Sequence, residues 1–169
     1  MEEIVNRVTS SSLISLDLEE YLHKGERVIF DLKEVLFQGL ILKEKDFRAF
    51  LKDNDWSYYQ DKNVGLMCSA DAIVPTWAYM LLVTKIKEYA NTVTFGDLDA
   101  IEKALIDQAI ESCMKMNDFD SKKVVIKGCG DVVNIEYAYT AITEKLYDKV
   151  SSLMYGEPCS TVPIFKRKK

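Results

Sequence analysis

Short apolar strands alternate with amphipathic helices through most of this chain, and that alternation constrains the fold more than any other feature. Compact apolar runs predict strands at residues 63–67, 92–95, 123–126 and 152–155. Turn residues and then a segment of helical periodicity follow each of the first three runs. Strands that alternate with helices in this way indicate βαβ units and a mainly parallel sheet.

The N-terminal third is patterned differently. Residues 13–18 alternate apolar with polar, which predicts a half-buried strand, and a turn at Gly25 leads to a second strand at 27–32. Phe47, Phe50 and Leu51 lie on one face of a short helix at 43–53. We therefore predict an α/β, three-layer-like fold. Its mainly parallel sheet has about four to six strands with βαβ crossovers, and the first two strands add an edge hairpin.

The chain of 169 residues predicts a single domain. In this prediction residues 1–60 hold the N-terminal strands and the short helix, residues 61–160 form the βαβ core, and residues 164–169 are a basic tail. We identify no internal repeat, low-complexity segment or linker, so the sequence predicts no domain boundary.

Composition narrows the class of protein. The formal net charge is −5 and the basic residues form no stripe beyond the tail, so nucleic acid is not an expected partner. No apolar run approaches the roughly 20 residues of a membrane span. The start, Met1-Glu2-Glu3, lacks the basic-then-apolar pattern of a secretory signal. We expect a cytoplasmic protein without a membrane partner.

The cysteines give the strongest functional signal. In a reducing compartment, the four cysteines are better interpreted as thiols or ligands than as disulfides. Cys68, Cys129 and Cys159 each follow a predicted strand, whereas Cys113 lies on a helix and suits a packing role. Because parallel strands end at one edge of a sheet, we expect these three thiols to converge there.

Three thiolates and one oxygen ligand suit a zinc ion or an iron–sulfur cluster. The predicted metal site is therefore Cys68, Cys129 and Cys159, with Asp71 as the oxygen ligand. Two other interpretations stay open: buried structural thiols, or a low-pKa thiol that is catalytic or redox-active. His23 is the only histidine, which excludes a multi-histidine centre. No nucleotide-binding motif is present, so no nucleotide is expected.

Several segments resemble a known bacterial family. They run Phe30–Lys33, Gly39–Arg48, Cys68–Tyr79, Val125–Cys129 and Tyr155–Pro163. On these segments the chain resembles the family catalogued as domain of unknown function 2480. Genes of that family are often found beside those of the SUF iron–sulfur assembly system. The resemblance thus implies iron–sulfur assembly proteins as partners, and its motifs include the same three cysteines.

Three functional hypotheses follow. The first is a metal or iron–sulfur protein that assists cluster assembly. The second is a thiol enzyme or sulfur acceptor that uses a low-pKa cysteine. The third is a non-catalytic interaction module with structural cysteines, which docks through its helices or through the aromatic loop at Trp56.

Overall fold

The computed structural model describes residues 13–128, 130–157 and 159–168. The strands are β1 (Leu13–Leu16), β2 (Arg27–Asp31), β3 (Asn63–Met67), β4 (Thr92–Phe95), β5 (Lys123–Ile126), β6 (Ser152–Glu157) and β7 (Ser160–Lys166). The helices are α1 (Glu44–Asp53), α2 (Thr76–Ile86), α3 (Leu98–Met116) and α4 (Ile135–Tyr147). Short 3₁₀ helices follow β1, β2 and α1, at Leu18–Tyr21, Leu32–Val35 and Trp56–Tyr59. The prediction of an α/β fold with mostly parallel strands is confirmed.

The described strands form two sheets, and the chain divides into two compact units. The central unit is His23–Leu105. The terminal unit takes its described residues from 13–22 and from 106–168. Helix α3 begins in the central unit and ends in the terminal one. The terminal unit is built from segments on both sides of the central unit in the sequence. The division between the units is therefore not marked by a linker.

The central unit contains a three-stranded parallel sheet in the order β2-β3-β4. Side chains at every fourth position of α2 reach the core, namely Ala78, Leu82 and Ile86. They pack in one cluster with Val64 and Leu66 of β3 and with the buried face of α1. The helical period of the apolar residues thus places α1 and α2 against this sheet.

The terminal unit contains a four-stranded sheet in the order β1-β5-β6-β7. Its first three strands are parallel, and β7 runs antiparallel to β6. Ile142 and Leu146 of α4 pack with Val124 and Ile126 of β5 in the core. Cys113 of α3 lies in the same cluster and is fully buried.

The two units repeat one structure with an offset of 60 residues. Asn63 pairs with Thr92 in the central sheet, and Lys123 pairs with Ser152 in the terminal sheet, so both partners shift by 60. The first strands match as well, because Phe30 pairs with Leu66 and Leu16 pairs with Ile126. Residues 63–96 therefore correspond to residues 123–156 without a gap.

Local backbone geometry follows the same offset. Asp61 and Ser121 have positive φ angles of 57° and 60°, and Gly96 and Gly156 have φ angles of 124° and 117°. The Asn91 amide donates to the Lys62 carbonyl at 2.9 Å, and the Ser151 amide donates to the Lys122 carbonyl at 2.7 Å. The expectation of no internal repeat is therefore wrong. The repeat lies in backbone geometry and burial more than in residue identity.

Two further expectations are corrected. The predicted edge hairpin of the first two strands is not formed, since β1 pairs with β5 and β2 pairs with β3. Asp17 accepts a hydrogen bond from the Glu19 amide and starts a 3₁₀ helix, which ends β1 and redirects the chain. The single predicted sheet is instead two sheets, because each unit pairs its own strands.

The C-terminal part of the prediction also changes. Residues 164–166 of the predicted basic tail belong to β7, which packs as an edge strand of the terminal sheet. Pro163 is tolerated in β7 because an edge strand has one row of unpaired backbone groups. In the part of the chain that the structure describes, no helix combines the length and apolar character needed to cross a bilayer.

Candidate functional site

The predicted cysteine ligands belong to two different sheets. Cys68 directly follows β3 of the central unit, whereas Cys159 lies in the turn between β6 and β7 of the terminal unit. Cys129 lies outside the described residues. The prediction that the cysteines converge at one sheet edge assumes a single sheet. That assumption is wrong, because the described strands form two sheets. Among the described residues, no group of three histidine, cysteine, aspartate or glutamate side chains is arranged to hold a metal ion.

Cys68 lies at the carboxyl edge of the central sheet. Its thiol is partly buried and lies 3.8 Å from the Ala70 carbonyl oxygen. Asp71, the predicted oxygen ligand, follows on the same loop and is exposed. Beside them, the Asp31 carboxylate at the end of β2 accepts hydrogen bonds from the Ser69 amide at 2.9 Å and the Ser69 hydroxyl at 2.5 Å. Asp31 thus fixes the loop that carries Cys68.

The electrostatics of this edge are set by Asp31. Burial acts to raise the pKa of the Asp31 carboxyl, but hydrogen bonds from Ser69 and Lys33 outweigh it and hold the pKa below its ordinary value. Burial also raises the pKa of the Tyr79 phenol, and the neighbouring Cys68 and Asp31 groups raise it further. The edge therefore carries an ionised carboxylate next to a neutral phenol.

Next to this edge is an apolar groove between α2 and the end of β4, which we call the central groove. Its volume is about 450 Å³, and it is lined by Thr76, Tyr79, Met80, Val83 and Phe95. The rings of Tyr79 and Phe95 meet edge to face with their centroids 5.2 Å apart. Phe95 is 70% exposed and Met80 is 65% exposed, so large apolar side chains line an open surface.

The terminal unit has a groove of about 500 Å³ at the equivalent place, which we call the terminal groove. Five of its lining residues are the 60-residue counterparts of the whole central set: Glu136, Tyr139, Thr140, Thr143 and Tyr155. Tyr139 and Tyr155 repeat the aromatic pair at 5.4 Å. One groove is thus built twice on the same backbone.

The two grooves differ in their polar surroundings. The Tyr139 hydroxyl donates to the Lys127 carbonyl at 2.9 Å. Gly128 stands where the central unit has Cys68, and a Cβ atom there would lie 2.7 Å from the Tyr155 hydroxyl. Glycine therefore makes room for the tyrosine hydroxyl, while the central unit combines cysteine with phenylalanine.

The largest difference is strand β7. Ile164 of β7 lines the terminal groove, and Val162 stands opposite Tyr155 in the sheet. None of the described strands pairs with the outer edge of β4, so no described strand covers the central groove on that side. The terminal groove already holds an apolar side chain from an extended strand.

Other residues considered from the sequence have structural roles. The Trp56 indole is buried and donates to the Leu51 carbonyl at 3.0 Å, so the aromatic loop anchors the core. His23 accepts a hydrogen bond from the Gly25 amide through Nδ1 at 3.2 Å. Burial raises the pKa of the Cys113 thiol, and a hydrogen bond with Tyr21 offsets part of that rise. These contacts agree with packing and turn formation.

Sequence patterns missed the residues that define the grooves. The apolar pattern predicts Phe95 and Tyr155 as strand residues and gives Asp31 no separate role. The available signal was the offset, since Asp71 and Asp131, Tyr79 and Tyr139, and Gly96 and Gly156 are identical pairs 60 residues apart.

Comparison with known proteins identifies a family. A family model described as a protein of unknown function (DUF2480) matches residues 2–167. No curated protein and no solved structure matches the chain with significance.

Proposed function

The chain belongs to the DUF2480 family of proteins of unknown function, and we propose that it is a non-catalytic interaction module. In this proposal the central groove receives apolar side chains of a partner polypeptide. The supporting observation is the repetition of one apolar, aromatic-lined groove at equivalent positions of two units. Among the five paired lining residues, only Tyr79 and Tyr139 are identical, so the groove is repeated although its residues differ.

Exposure of the lining residues supports a binding surface. A single exposed apolar side chain is ordinary on a protein surface, but Met80 and Phe95 adjoin one another in a concave groove. Full burial of one such side chain contributes about 1.5–3 kcal/mol. Burial of these side chains by a partner would therefore contribute favourable free energy to binding.

The terminal groove supports a polypeptide as the occupant. There the apolar side chain of Ile164 comes from strand β7, which also pairs with β6 through its backbone. The same groove geometry thus already accepts an extended segment within this chain.

Co-purification from cell extract with groove variants tests the proposal. Met80→Glu and Phe95→Glu place a carboxylate in the central groove and are expected to release the partner. Met116→Glu is the matched control, since Met116 is 74% exposed and does not line either groove. The Cys68→Ser variant is expected to keep the partner, because the thiol is not a lining residue. Retention of every partner by both groove variants would contradict the proposal.

A role in metal binding or iron–sulfur assembly is the second candidate function. The observation that favours it is the position of three cysteines in the chain, each within three residues after a parallel strand, β3, β5 or β6. The carboxyl ends of parallel strands are where ligands bind in α/β sheets. Cys129 and Cys159 follow neighbouring strands of the terminal sheet, so these two are the first ligands to test.

Anaerobic reconstitution with iron and sulfide, and zinc analysis of the isolated protein, test this second function. The separate Cys68→Ser, Cys129→Ser and Cys159→Ser variants are each expected to lower the bound metal if all three are ligands. Cys113→Ser is the matched control, because that thiol is fully buried in the core. Equal metal content in all four variants would exclude a cysteine-ligated centre.

A further inference from the structure

We propose that the outer edge of β4 accepts an extended segment of a partner polypeptide as an antiparallel strand, in the register that β7 adopts against β6. This inference rests on the proposed interaction function and names the form of the partner. It follows from the equivalence of β4 and β6 and from the contacts that hold β7 in place.

Strand β4 has one paired edge and one open edge in the described structure. It pairs with β3, and no other described strand pairs with it. Its counterpart β6 pairs with β5 on one side and with β7 on the other. The unpaired backbone N–H and C=O groups of such an edge are where an added strand usually forms its hydrogen bonds.

The pairing of β7 fixes the register of the incoming strand. Val162 stands opposite Tyr155, and Lys166 stands opposite Ser152. Between them β7 has one extra residue, Ile164, in a β-bulge opposite Leu153 and Met154, and the incoming strand would need the same bulge. In the central unit these positions are Phe95 and Thr92. A segment in the same register would place the residue equivalent to Ile164 in the central groove, because Ile164 lines the terminal one.

An arginine anchors the end of β7. The Arg167 amide donates to the Ser151 carbonyl at 2.9 Å, its Nε donates to the Val150 carbonyl at 3.1 Å, and its guanidinium lies 3.8 Å from the Asp148 carboxylate. The counterparts at β4 are the carbonyls of Asn91 and Ala90 and the carboxylate of Glu88. The central unit thus repeats three of the acceptors that hold Arg167, whereas Lys87 stands at the position of Tyr147, whose carbonyl and ring also contact the guanidinium.

One of these acceptors is occupied by a side chain in the free central unit. The Lys87 ammonium donates to the Asn91 carbonyl, which corresponds to the acceptor of the Arg167 amide. Lys87 is exposed, so it can leave this carbonyl without disturbing the core. The incoming backbone would replace the ammonium at that oxygen.

The occupant is a segment of another polypeptide and not β7 of a second copy. The edge of β7 that matches the required register already pairs with β6, so a second copy would present only its other edge. The partner segment therefore has a free strand edge, apolar residues at the positions of Val162 and Ile164, and an arginine at its end.

A labelled peptide with the sequence of residues 160–168 is the probe. Fluorescence anisotropy with the full-length protein is expected to show saturable binding. Phe95→Glu in the protein, or Ile164→Glu in the peptide, is expected to weaken binding at least tenfold. Met116→Glu is expected to leave binding within twofold.

Charge reversal tests the register directly. Glu88→Arg is expected to weaken binding of the peptide several-fold, and a peptide with Glu at the position of Arg167 is expected to restore it. Non-specific hydrophobic binding of the peptide would not be restored by this charge exchange.

Any of three results with the peptide would overturn the proposal: no saturable binding, binding unaffected by Phe95→Glu, or loss of binding by Glu88→Arg that the Glu-bearing peptide does not restore. Concentration-dependent dimerisation abolished by Phe95→Glu would also overturn it, by making a second copy the occupant. If the peptide fails but the groove variants still release a co-purified partner, strand addition is wrong while the interaction function stands.

Discussion

Phe95 and Tyr155 occupy the same position in two repeated units, yet Phe95 is 70% exposed and Tyr155 is partly buried. The difference follows from β7, which pairs with β6 and places Val162 opposite Tyr155. In the described structure β4 has no such neighbour. Tyr155 therefore lies in the groove that β7 covers, and Phe95 lies in the equivalent groove that no described strand covers.

Substitution of this pair is expected to affect stability unequally. Phe95→Glu is expected to change the free energy of unfolding by less than about 0.5 kcal/mol, because the side chain is exposed. Tyr155→Glu is expected to cost about 2 kcal/mol or more, since it places a carboxylate beside Tyr139 and β7. Urea denaturation of the two variants measures the difference. Equal effects would contradict the assigned burial.

Asp31 is expected to stabilise the central unit in a pH-dependent way. Removal of its hydrogen bonds with Ser69 and Lys33 by Asp31→Ala is expected to cost about 2 kcal/mol at pH 7. The folded pKa is lowered, so this stabilisation is complete above the unfolded pKa of about 3.9 and is lost as the pH falls through the folded pKa.

Urea denaturation from pH 7 down to pH 3 checks that sign. The difference in free energy of unfolding between wild type and Asp31→Ala is expected to become smaller at the acidic end of this range. Asp71→Ala is the control, because Asp71 is exposed on the same loop and is expected to shift stability by less than about 0.5 kcal/mol. A gap that widens in acid would show that the Asp31 pKa is raised instead.

Alkylation of the native protein is expected to follow the burial of the thiols. Cys159 is exposed, Cys68 is partly buried, and Cys113 is buried with a raised pKa. Among these three described thiols, iodoacetamide followed by peptide mass spectrometry is expected to label Cys159 first and Cys113 last. Labelling of Cys68 ahead of Cys159 would instead indicate an activated thiol and favour the thiol-enzyme hypothesis.

Arg167 is expected to hold the end of β7. Arg167→Ala removes its side-chain bonds to Val150 and Tyr147 and its ion pair with Asp148. The expected loss is about 1–2 kcal/mol, with faster hydrogen exchange along β7. Lys168→Ala is the matched control on the neighbouring basic residue. Unchanged exchange in β7 would remove the basis for an arginine at the end of the partner segment.

Local patterning was sufficient for individual elements but not for their pairing. The strands at 63–67, 92–95 and 123–126 match the predicted bounds, because each is a compact apolar run closed by turn residues. Strand β7 was missed because Pro163 and a basic end interrupt its pattern. An apolar run does not encode which strand it pairs with. The sequence pattern therefore could not distinguish one sheet from two sheets whose strands are nested along the chain.

The candidate site was predicted only in part. Cys68 and Cys159 do follow strand ends, but the grooves depend on Phe95 and Tyr155, which resemble any other strand residue in the sequence. Their role becomes visible only when the registers of the two sheets are compared. The metal-site assignment of Cys68, Cys129, Cys159 and Asp71 stays a prediction.

Amide hydrogen exchange of β4 and β6, measured by NMR with and without the peptide of residues 160–168, tests the account most directly. Successive amides of a strand point to opposite edges, so one of Val93 and Thr94 faces the open edge of β4. That amide is expected to exchange rapidly in the free protein and to become protected when the peptide binds. Leu153 and Met154, the counterparts in β6, are expected to be protected throughout. Equal protection of all four amides in the free protein, or no change at β4 on peptide binding, would contradict the account.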